Sequence, residues 1–306
     1  MQHPFILQPY NGMATRFRCP SCNKSVKTFS KYIDNSTGAH VNDMVGRCSR
    51  EINCGYHYTP KQYFQDNSHF LPINNPVKQN QFIKAISGPP SYINPVQFQQ
   101  TLKNYNDNNF VEYLIKLFGT SATQQLLQKY CIGTSRHWHG ATIFWQIDNF
   151  KKIRSGKIML YNPVSGKRVK KPYNHITWVH KLLNNPHYVL KQCLFGLHLL
   201  NGNTKPVAVV ESEKTAIIAS AYLPEFLWLA TGSLNNLNKE SCKPLTGCNV
   251  TLFPDLNGFG KWSLKADELS SITKFKVSNF LESIATSQEI EEGLDIADYL
   301  LQFPQL

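Results

Sequence analysis

Short apolar strands alternate with helical segments in the last third of the chain, and this pattern constrains the fold more than any other feature of the sequence. The predicted strands are 206–211, 226–230, 249–253 and 275–280, and the predicted helices are 212–222, 235–242 and 263–271. Strands that are apolar throughout are buried on both faces, and their alternation with helices is typical of a mostly parallel sheet. We therefore expect residues 201–306 to form an α/β domain.

Acidic residues stand where two of these strands end. Glu211 closes the first strand, and Asp255 follows the third in the sequence Pro-Asp-Leu-Asn-Gly. The carboxyl ends of strands are where α/β folds bind their ligands, and carboxylate oxygens suit Mg²⁺. Asp295 and Asp298 could converge on the same one or two ions, in a site that positions a triphosphate for phosphoryl or nucleotidyl transfer. The alternative interpretation is that Glu211 caps a helix and the two later acids lie on a solvated helix.

Four cysteines near the amino terminus predict a structural Zn²⁺ site. Two residues stand between Cys19 and Cys22, five stand between Cys48 and Cys54, and 25 stand between the two pairs. Two pairs of thiolates can complete the tetrahedron of a zinc ribbon. Because the gap in the second pair is wider than usual, His57 is an alternative fourth ligand in place of Cys48.

Positive charge is concentrated in the middle of the chain. Residues 71–200 carry sixteen Lys and Arg against three Asp and Glu, whereas residues 201–306 carry eight against thirteen. No carboxylate occurs between Asp148 and Glu211. Eight basic residues lie close together in that interval: Lys151, Lys152, Arg154, Lys157, Lys167, Arg168, Lys170 and Lys171. Such a segment favours a polyanionic partner, although a solvated surface with its acidic complement elsewhere in space is the alternative.

The middle of the chain is expected to be a mixed α+β subdomain over residues 71–200, joined to a zinc-ribbon domain over residues 1–70. Helical spacing over 110–130, broken at 119–121, predicts two short helices whose apolar faces are core. The stretches GATIFWQID and GKIMLYNPVSGKRVKKPY alternate in the β manner and predict an antiparallel sheet with basic residues on one face. Residues 60–110, rich in Asn, Gln and Pro, predict an extended connector.

Three aromatic residues stand among the basic ones. They are Tyr161, Tyr173 and Trp178. Aromatic rings between basic side chains are candidate stacking platforms for unpaired bases, and the alternative is that they belong to the core.

Composition excludes several classes of protein. The 306 residues are 42% hydrophobic and 17% charged, unlike a disordered or collagenous chain. No apolar run approaches the roughly 20 residues of a membrane span, and the amino terminus has no pattern of a secretion signal. We therefore expect a cytoplasmic protein with no membrane partner and with reduced thiols. The four isolated cysteines should be small buried side chains: Cys131, Cys193, Cys242 and Cys248.

Together these motifs resemble the Toprim domain of primases and topoisomerases. The resemblance rests on VAVVESEKTA, on the TGS turn after the second strand, on the strand followed by PDLNG, and on LDIADYL. Upstream, KIMLYNPVSGKR and CLFGL follow the order found in the catalytic core of bacterial replicative primases of the DnaG type, which also carry an amino-terminal zinc ribbon. The ESEKTA form is most similar to small zinc-finger Toprim primases of bacterial mobile elements and phages. The resemblance covers nearly the whole chain and is weakest over 60–110.

The resemblance implies a DNA primase that makes primers on a single-stranded DNA template from nucleoside triphosphates, with Mg²⁺ or Mn²⁺, beside a separate helicase. Glu211 would correspond to the invariant acid of the family and Asp255 to the first acid of its Asp-x-Asp. Asn257 stands where the second Asp is expected, and its neutral oxygen implies a weakened or one-metal site. Asp295 or Asp298 would then add charge.

The basic residues would contact phosphates, and Lys214, three positions after Glu211, would face the nucleotide or cover its helix. The alternatives are a non-catalytic Toprim protein that holds DNA during replication, excision or transfer of an element, which Asn257 favours, and a Toprim-type metal-dependent nuclease.

Overall fold

The computed structural model describes residues 4–23, 25–50, 54–66, 88–183, 185, 187–233 and 236–303. These residues divide into two compact units, one within Met1–Phe82 and the other within Ile83–Leu306. The architecture is mixed α/β with three four-stranded sheets, of which one is parallel. The connector predicted over 60–110 lies partly outside the described residues, and the domain boundaries at 70 and 200 remain predictions.

The first unit is a small antiparallel sheet. Its strands pair in the order β1-β2-β3-β4. They are β1 (Phe5–Leu7), β2 (Phe29–Asp34), β3 (Gly46–Cys48) and β4 (His57–Tyr58), followed by α1 (Pro60–Asp66). Gly46 leaves no room for a Cβ beside the Ser30 carbonyl and the Phe29 ring, so the backbones approach closely over a fully buried aromatic side chain.

The second unit begins with helices and an antiparallel sheet. Its helices are α2 (Pro95–Gln99), α3 (Asn109–Tyr130) and α4 (Val179–Leu182). Its strands are β5 (Gly133–Ser135), β6 (Ala141–Ile147), β7 (Ile153–Met159) and β8 (Ile176–Trp178), in sequential order across the sheet. Gly119 has φ +74° and interrupts α3, at the position where the sequence predicts a break between two helices.

The parallel sheet follows in the same unit. Its strands are β9 (Val207–Val210), β10 (Leu227–Ala230), β11 (Val250–Leu252) and β12 (Phe275–Val277), in the spatial order β10-β9-β11-β12. The helices are α5 (Glu213–Tyr222), α6 (Lys239–Cys242), α7 (Phe259–Glu268), α8 (Phe280–Ile284), α9 (Ser287–Glu292) and α10 (Ile296–Leu300). Among the described residues, 3₁₀ turns lie at Met13–Thr15, Tyr105–Asp107, Leu197–Leu199 and Lys243–Leu245. The predicted parallel sheet is confirmed, whereas the helix expected from Ser263 begins four residues earlier.

One hydrophobic core joins the antiparallel and parallel sheets of the second unit. Tyr130 at the end of α3 stacks on Phe195 at 5.3 Å and donates a hydrogen bond of 3.1 Å to the Trp228 carbonyl on β10. Phe195 also meets the Phe144 ring of β6 edge-on at 5.8 Å. All four rings are buried, so α3 and both sheets hold one another in place.

Among the described residues, no helix combines the length and the apolarity needed to cross a membrane.

Candidate functional site

The four amino-terminal cysteines lie together in the first unit. The Sγ atoms of Cys19, Cys22, Cys48 and Cys54 all lie within 4.8 Å of one another, and Cys19 and Cys54 are 3.6 Å apart. Cys19 and Cys48 are buried beside Phe29. Each pair ends in a tight turn, with Asn23 and Gly55 in the left-handed region directly after the second cysteine.

These thiols have the chemistry of a structural zinc site. Burial, together with the neighbouring thiols of Cys54 and Cys48, raises the pKa of the Cys19 thiol to about 12, so a thiolate at this position needs a cation beside it. Zn²⁺ supplies that charge and accepts four thiolates in a tetrahedron. The donor set therefore fits zinc, which confirms the predicted class of site.

His57 is engaged elsewhere. Its Nε2 lies 2.9 Å from the Tyr32 hydroxyl, and the two rings stack at 6.0 Å. The four cysteines come together without it, so the geometry favours the four-thiolate set over the alternative with His57. Of the isolated cysteines, two are buried, as expected, and two are only partly buried. The buried ones are Cys193 and Cys242, and the others are Cys131 and Cys248.

Glu211 and Asp255 lie at the carboxyl edge of the parallel sheet in the second unit. Burial raises the pKa of Glu211, and the positive charges of Lys157 and Arg168 partly oppose this. Burial holds the pKa of Asp255 well above its usual value, and the neighbouring charges of Asp295, Glu211 and Asp298 raise it further. Asp255 therefore lies close enough to the other three acids for their charges to act on it.

Asp295 has a structural function in this cluster. Asp295 is the N-cap of α10, and its Oδ1 accepts hydrogen bonds from the N–H groups of Ala297 and Asp298. Its Oδ2 accepts a hydrogen bond of 2.6 Å from the Thr215 hydroxyl. The N–H of Asp295 in turn donates to Asp298 Oδ2 at 3.0 Å. This capping box makes Asp295 a buried helix cap and not a residue of a solvated helix face, and its charge still reaches Asp255.

Asn257 also makes a local contact. Its backbone has φ +68°, in the left-handed region that Asn tolerates better than most residues. Its side-chain N–H donates to the Ile290 carbonyl. An ionised aspartate could not donate this bond, so the hydrogen bond within the turn explains why an amide stands at this position. The amide nitrogen is thereby directed at the backbone, and only the oxygen is left for any ligand.

Several cations surround the acids. Arg168 is close enough to lower the pKa values of both Glu211 and Asp255. Lys214 and Lys167 act in the same direction on Asp298, and Lys261 acts on Glu211. The loop that carries Lys167 and Arg168 is seated on α3, because Gly166 leaves no room for a Cβ against the Tyr113 ring.

Two of the predicted phosphate contacts are internal instead. Lys157 Nζ lies 3.1 Å from Glu213 Oε2 and donates to the Gly232 carbonyl at 2.8 Å, with both charged side chains buried. Arg154 Nε lies 2.7 Å from Asp148 Oδ2, and its side chain is also largely buried. The charges of Lys157 and Arg154 are therefore neutralised by carboxylates inside the protein. Sequence reasoning missed Glu213 because its partner lies 56 positions away.

Some of the other residues predicted to contact nucleic acid are exposed, and others are buried. Lys170 and Lys171 are exposed, in a loop and not on a strand face as predicted. Tyr161 is buried in the core and cannot stack on a base, which corrects that expectation. Tyr173 is 56% exposed, and Trp178 is partly buried beside His180.

The acidic residues fit a divalent cation in part. Asp255 Oδ1 is buried and has no hydrogen-bond partner, and a buried carboxylate oxygen of this kind needs a cation or a donor. Among the described residues, however, the four thiols are the only set of three or more ligand atoms within 4.8 Å of one another. Mg²⁺ usually keeps several waters and takes only one or two carboxylates, so binding of this ion does not require three protein ligand atoms close together.

Two family models match parts of the chain. A zinc beta-ribbon finger matches residues 3–69, which include all four ligand cysteines. A domain of unknown function (DUF6371) matches residues 108–256, from the start of α3 to the residue after Asp255. The first match agrees with the four-thiol cluster and supports structural zinc. No curated protein matches the sequence.

Solved structures of primases are similar to this chain. The primase fragment of the bacteriophage T7 primase-helicase protein is 15% identical, with a TM-score of 0.38, over 91% of this chain and 98% of that one. The Aquifex aeolicus primase, with its zinc-binding and RNA polymerase domains, is 11% identical, with a TM-score of 0.38, over 94% and 80%. The E. coli primase catalytic core is 12% identical, with a TM-score of 0.29, over 68% and 77%. Because all three TM-scores are below 0.5, the functional proposal rests on the residues of this chain.

Proposed function

We propose that this protein is a DNA primase-like nucleotidyltransferase of the Toprim type, which makes primers on single-stranded DNA. The observation that carries the proposal is the acidic cluster at the carboxyl edge of the parallel sheet, with Arg168 beside both Glu211 and Asp255. Carboxylates that hold a divalent ion next to cations that hold phosphates are the two requirements of nucleotidyl transfer. The order of sequence motifs supports the same class.

In this reaction a primer 3′-hydroxyl attacks the α-phosphorus of a nucleoside triphosphate. A new P–O bond forms, the bond to pyrophosphate breaks, and the hydroxyl proton passes to solvent. Glu211 and Asp255 would hold Mg²⁺ or Mn²⁺, which when bound offsets the charge of the triphosphate. Arg168, Lys167 and Lys214 would orient the phosphate oxygens, whose charge is spread in the transition state.

Primer synthesis on single-stranded DNA, with Mg²⁺ or Mn²⁺ and nucleoside triphosphates, tests the proposal. Glu211→Gln and Asp255→Asn should each lower synthesis by at least about a hundredfold, the usual loss when a charge-stabilising group is removed. Glu240→Gln is the matched control, because Glu240 is an exposed acid of the same unit, paired with Lys191 at 2.9 Å. Unchanged synthesis by Glu211→Gln would overturn the assignment.

A second candidate is a non-catalytic DNA-binding protein of the same fold. The contact from Asn257 to the Ile290 carbonyl favours it, because the second carboxylate of the Toprim pattern is replaced by a residue with a local function. It predicts a salt-sensitive complex with DNA and no product from any nucleotide. A nuclease is distinguished by the loss of labelled DNA when metal is added.

A further inference from the structure

Four aromatic rings from two separate loops contact one another in series in the second unit. His137 meets Trp138 at 4.4 Å between ring centroids, Trp138 meets His175 edge-on at 5.1 Å, and His175 stacks on Tyr173 at 4.4 Å with 24° between the planes. We call these four residues the ring stack. The first two precede β6 and the last two precede β8, and these strands run in the same direction on either side of β7. Both loops therefore meet at one edge of the antiparallel sheet.

The outer ring of the stack is both fixed and open. The backbone N–H of His175 donates to the Val169 carbonyl at 3.3 Å, and its ring Nδ1 lies 3.3 Å from the same oxygen. Tyr173 lies against this anchored ring with one face and is 56% exposed. An aromatic face that is held in place and presented to solvent can bind a planar ligand with little loss of conformational entropy.

The surroundings of the ring stack are positively charged. Arg136, Lys170 and Lys171 adjoin it in sequence and are exposed. The only carboxylate in the sequence from 131 to 210, Asp148, follows the opposite end of β6 and is paired with Arg154. A planar ligand that also carries negative charge therefore fits the surface, and unpaired nucleotides combine these two properties.

A short stretch of chain connects the ring stack to a cation of the acidic site. The loop that ends in Tyr173 carries Arg168, whose charge reaches Glu211 and Asp255. Five residues of chain span at most about 17 Å, which limits the distance between the Cα atoms of Arg168 and Tyr173.

We infer that the ring stack binds an unpaired nucleobase of single-stranded DNA through the exposed face of Tyr173, while the adjacent basic residues hold its phosphates. The inference rests on the proposed function for the class of ligand. It adds the position at which the template is held and divides the contacts into base stacking and charge.

Binding of a fluorescent oligothymidine of about 16 nucleotides, followed by anisotropy over a range of salt concentrations, tests the inference. Tyr173→Ala should weaken binding about tenfold, the contribution of one stacked base, with the same slope of log K against log salt. Tyr173→Phe should bind within about twofold of the unchanged protein, because the ring is kept. Lys170→Ala or Lys171→Ala should instead lower the salt slope by about one.

The controls separate stacking from general damage. Phe150→Ala removes another exposed aromatic side chain of the same unit, 75% exposed, and should leave binding unchanged. Duplex DNA should be insensitive to Tyr173→Ala, because its bases are already stacked. Tyr173→Leu should bind as weakly as Tyr173→Ala, because bulk without a ring is not enough.

Two outcomes would overturn the inference. Oligothymidine affinity that is unchanged in Tyr173→Ala but reduced in Lys170→Ala would show that DNA is held by charge alone. An unchanged oligothymidine affinity with a raised KM for nucleoside triphosphate would assign the ring to the incoming nucleotide. The binding assay needs no catalysis, so a protein that binds DNA through Tyr173 but makes no primer would contradict the proposed function and leave the ring stack in place.

Discussion

Substitution of either residue in the buried ion pair between Lys157 and Glu213 should lower the free energy of unfolding, but by unequal amounts. Their side chains are 11% and 2% exposed, and the two charged atoms are 3.1 Å apart. Lys157→Met leaves Glu213 buried and uncompensated, with an Oε1 that already has no partner. Removal of one partner from a buried pair costs about 3–5 kcal/mol, and we expect the free energy of unfolding to fall by this amount.

The reverse substitution should cost less. In Glu213→Gln, Lys157 keeps its bond of 2.8 Å to the Gly232 carbonyl and the nearby charge of Glu211. Loss of one charge-assisted hydrogen bond costs about 1.5–3 kcal/mol, and we expect the lower part of this range. The double variant leaves no stranded charge, so its loss should fall below the sum of the single losses by about 2 kcal/mol.

Urea unfolding of the full chain, followed by tryptophan fluorescence, measures these values. All five tryptophans lie in the second unit, so the signal reports on the unit that contains the pair. Glu240→Gln breaks an exposed pair of similar length, 2.9 Å, and should cost less than about 1 kcal/mol. Additive single losses, or a larger loss for Glu213→Gln than for Lys157→Met, would refute the reasoning.

Three further predictions concern the metal sites and the capping box. Cys48→Ser should abolish the binding of one Zn²⁺ per chain whereas His57→Ala should retain it, because these two residues are the alternative fourth ligands; metal analysis of the purified proteins decides between four thiolates and a histidine set. Because the pKa of Asp255 is raised in the folded protein, its ionisation opposes folding as the pH rises above the ordinary value of 3.8. Asp255→Asn should therefore raise the urea midpoint at neutral pH but not near pH 3.8. Mg²⁺ should raise the melting temperature of the unchanged protein and not that of the variant. An equal gain at both values, or the same shift by Mg²⁺ in the variant, would contradict this. Asn caps helices as well as Asp does, whereas Ala at the cap lowers the free energy of unfolding by about 1 kcal/mol. Asp295→Asn should therefore keep both stability and primer synthesis, and Asp295→Ala should lose stability. A loss of synthesis in Asp295→Asn would instead identify Asp295 as a metal ligand.

Local patterns predicted the parallel sheet well because its strands are apolar on both faces. The strand expected over 226–230 is observed at Leu227–Ala230, and the one expected over 249–253 at Val250–Leu252. The predicted start of α7 was wrong because Gly258 and Gly260 in the sequence favour a loop. Gly258 is needed where a Cβ would come within 2.7 Å of the Asp255 carbonyl oxygen, and the burial of Trp262 offsets the cost of a glycine inside the helix.

The site was harder to predict because its contacts join distant parts of the chain. The position of acids at strand ends predicted that Glu211 and Asp255 come together, and in the structure the charge of Glu211 acts on Asp255. Local charge density, in contrast, could not distinguish Lys157, whose partner lies on α5, from Lys170, which is exposed. Burial of a charge depends on a tertiary partner, and a run of basic residues contains no information about which of its members has one.

The interruption of α3 at Gly119 has a consequence for how this fold can diversify. A Cβ at Gly119 would meet no atom of the described residues within 4 Å, and the two halves of the helix are each anchored by their own aromatic side chains, Phe110 and Tyr130. Extra residues introduced at this joint would project into open space without shifting either anchor. The joint is therefore a natural place for relatives to differ in length, and for a tag or a small inserted domain to be tolerated.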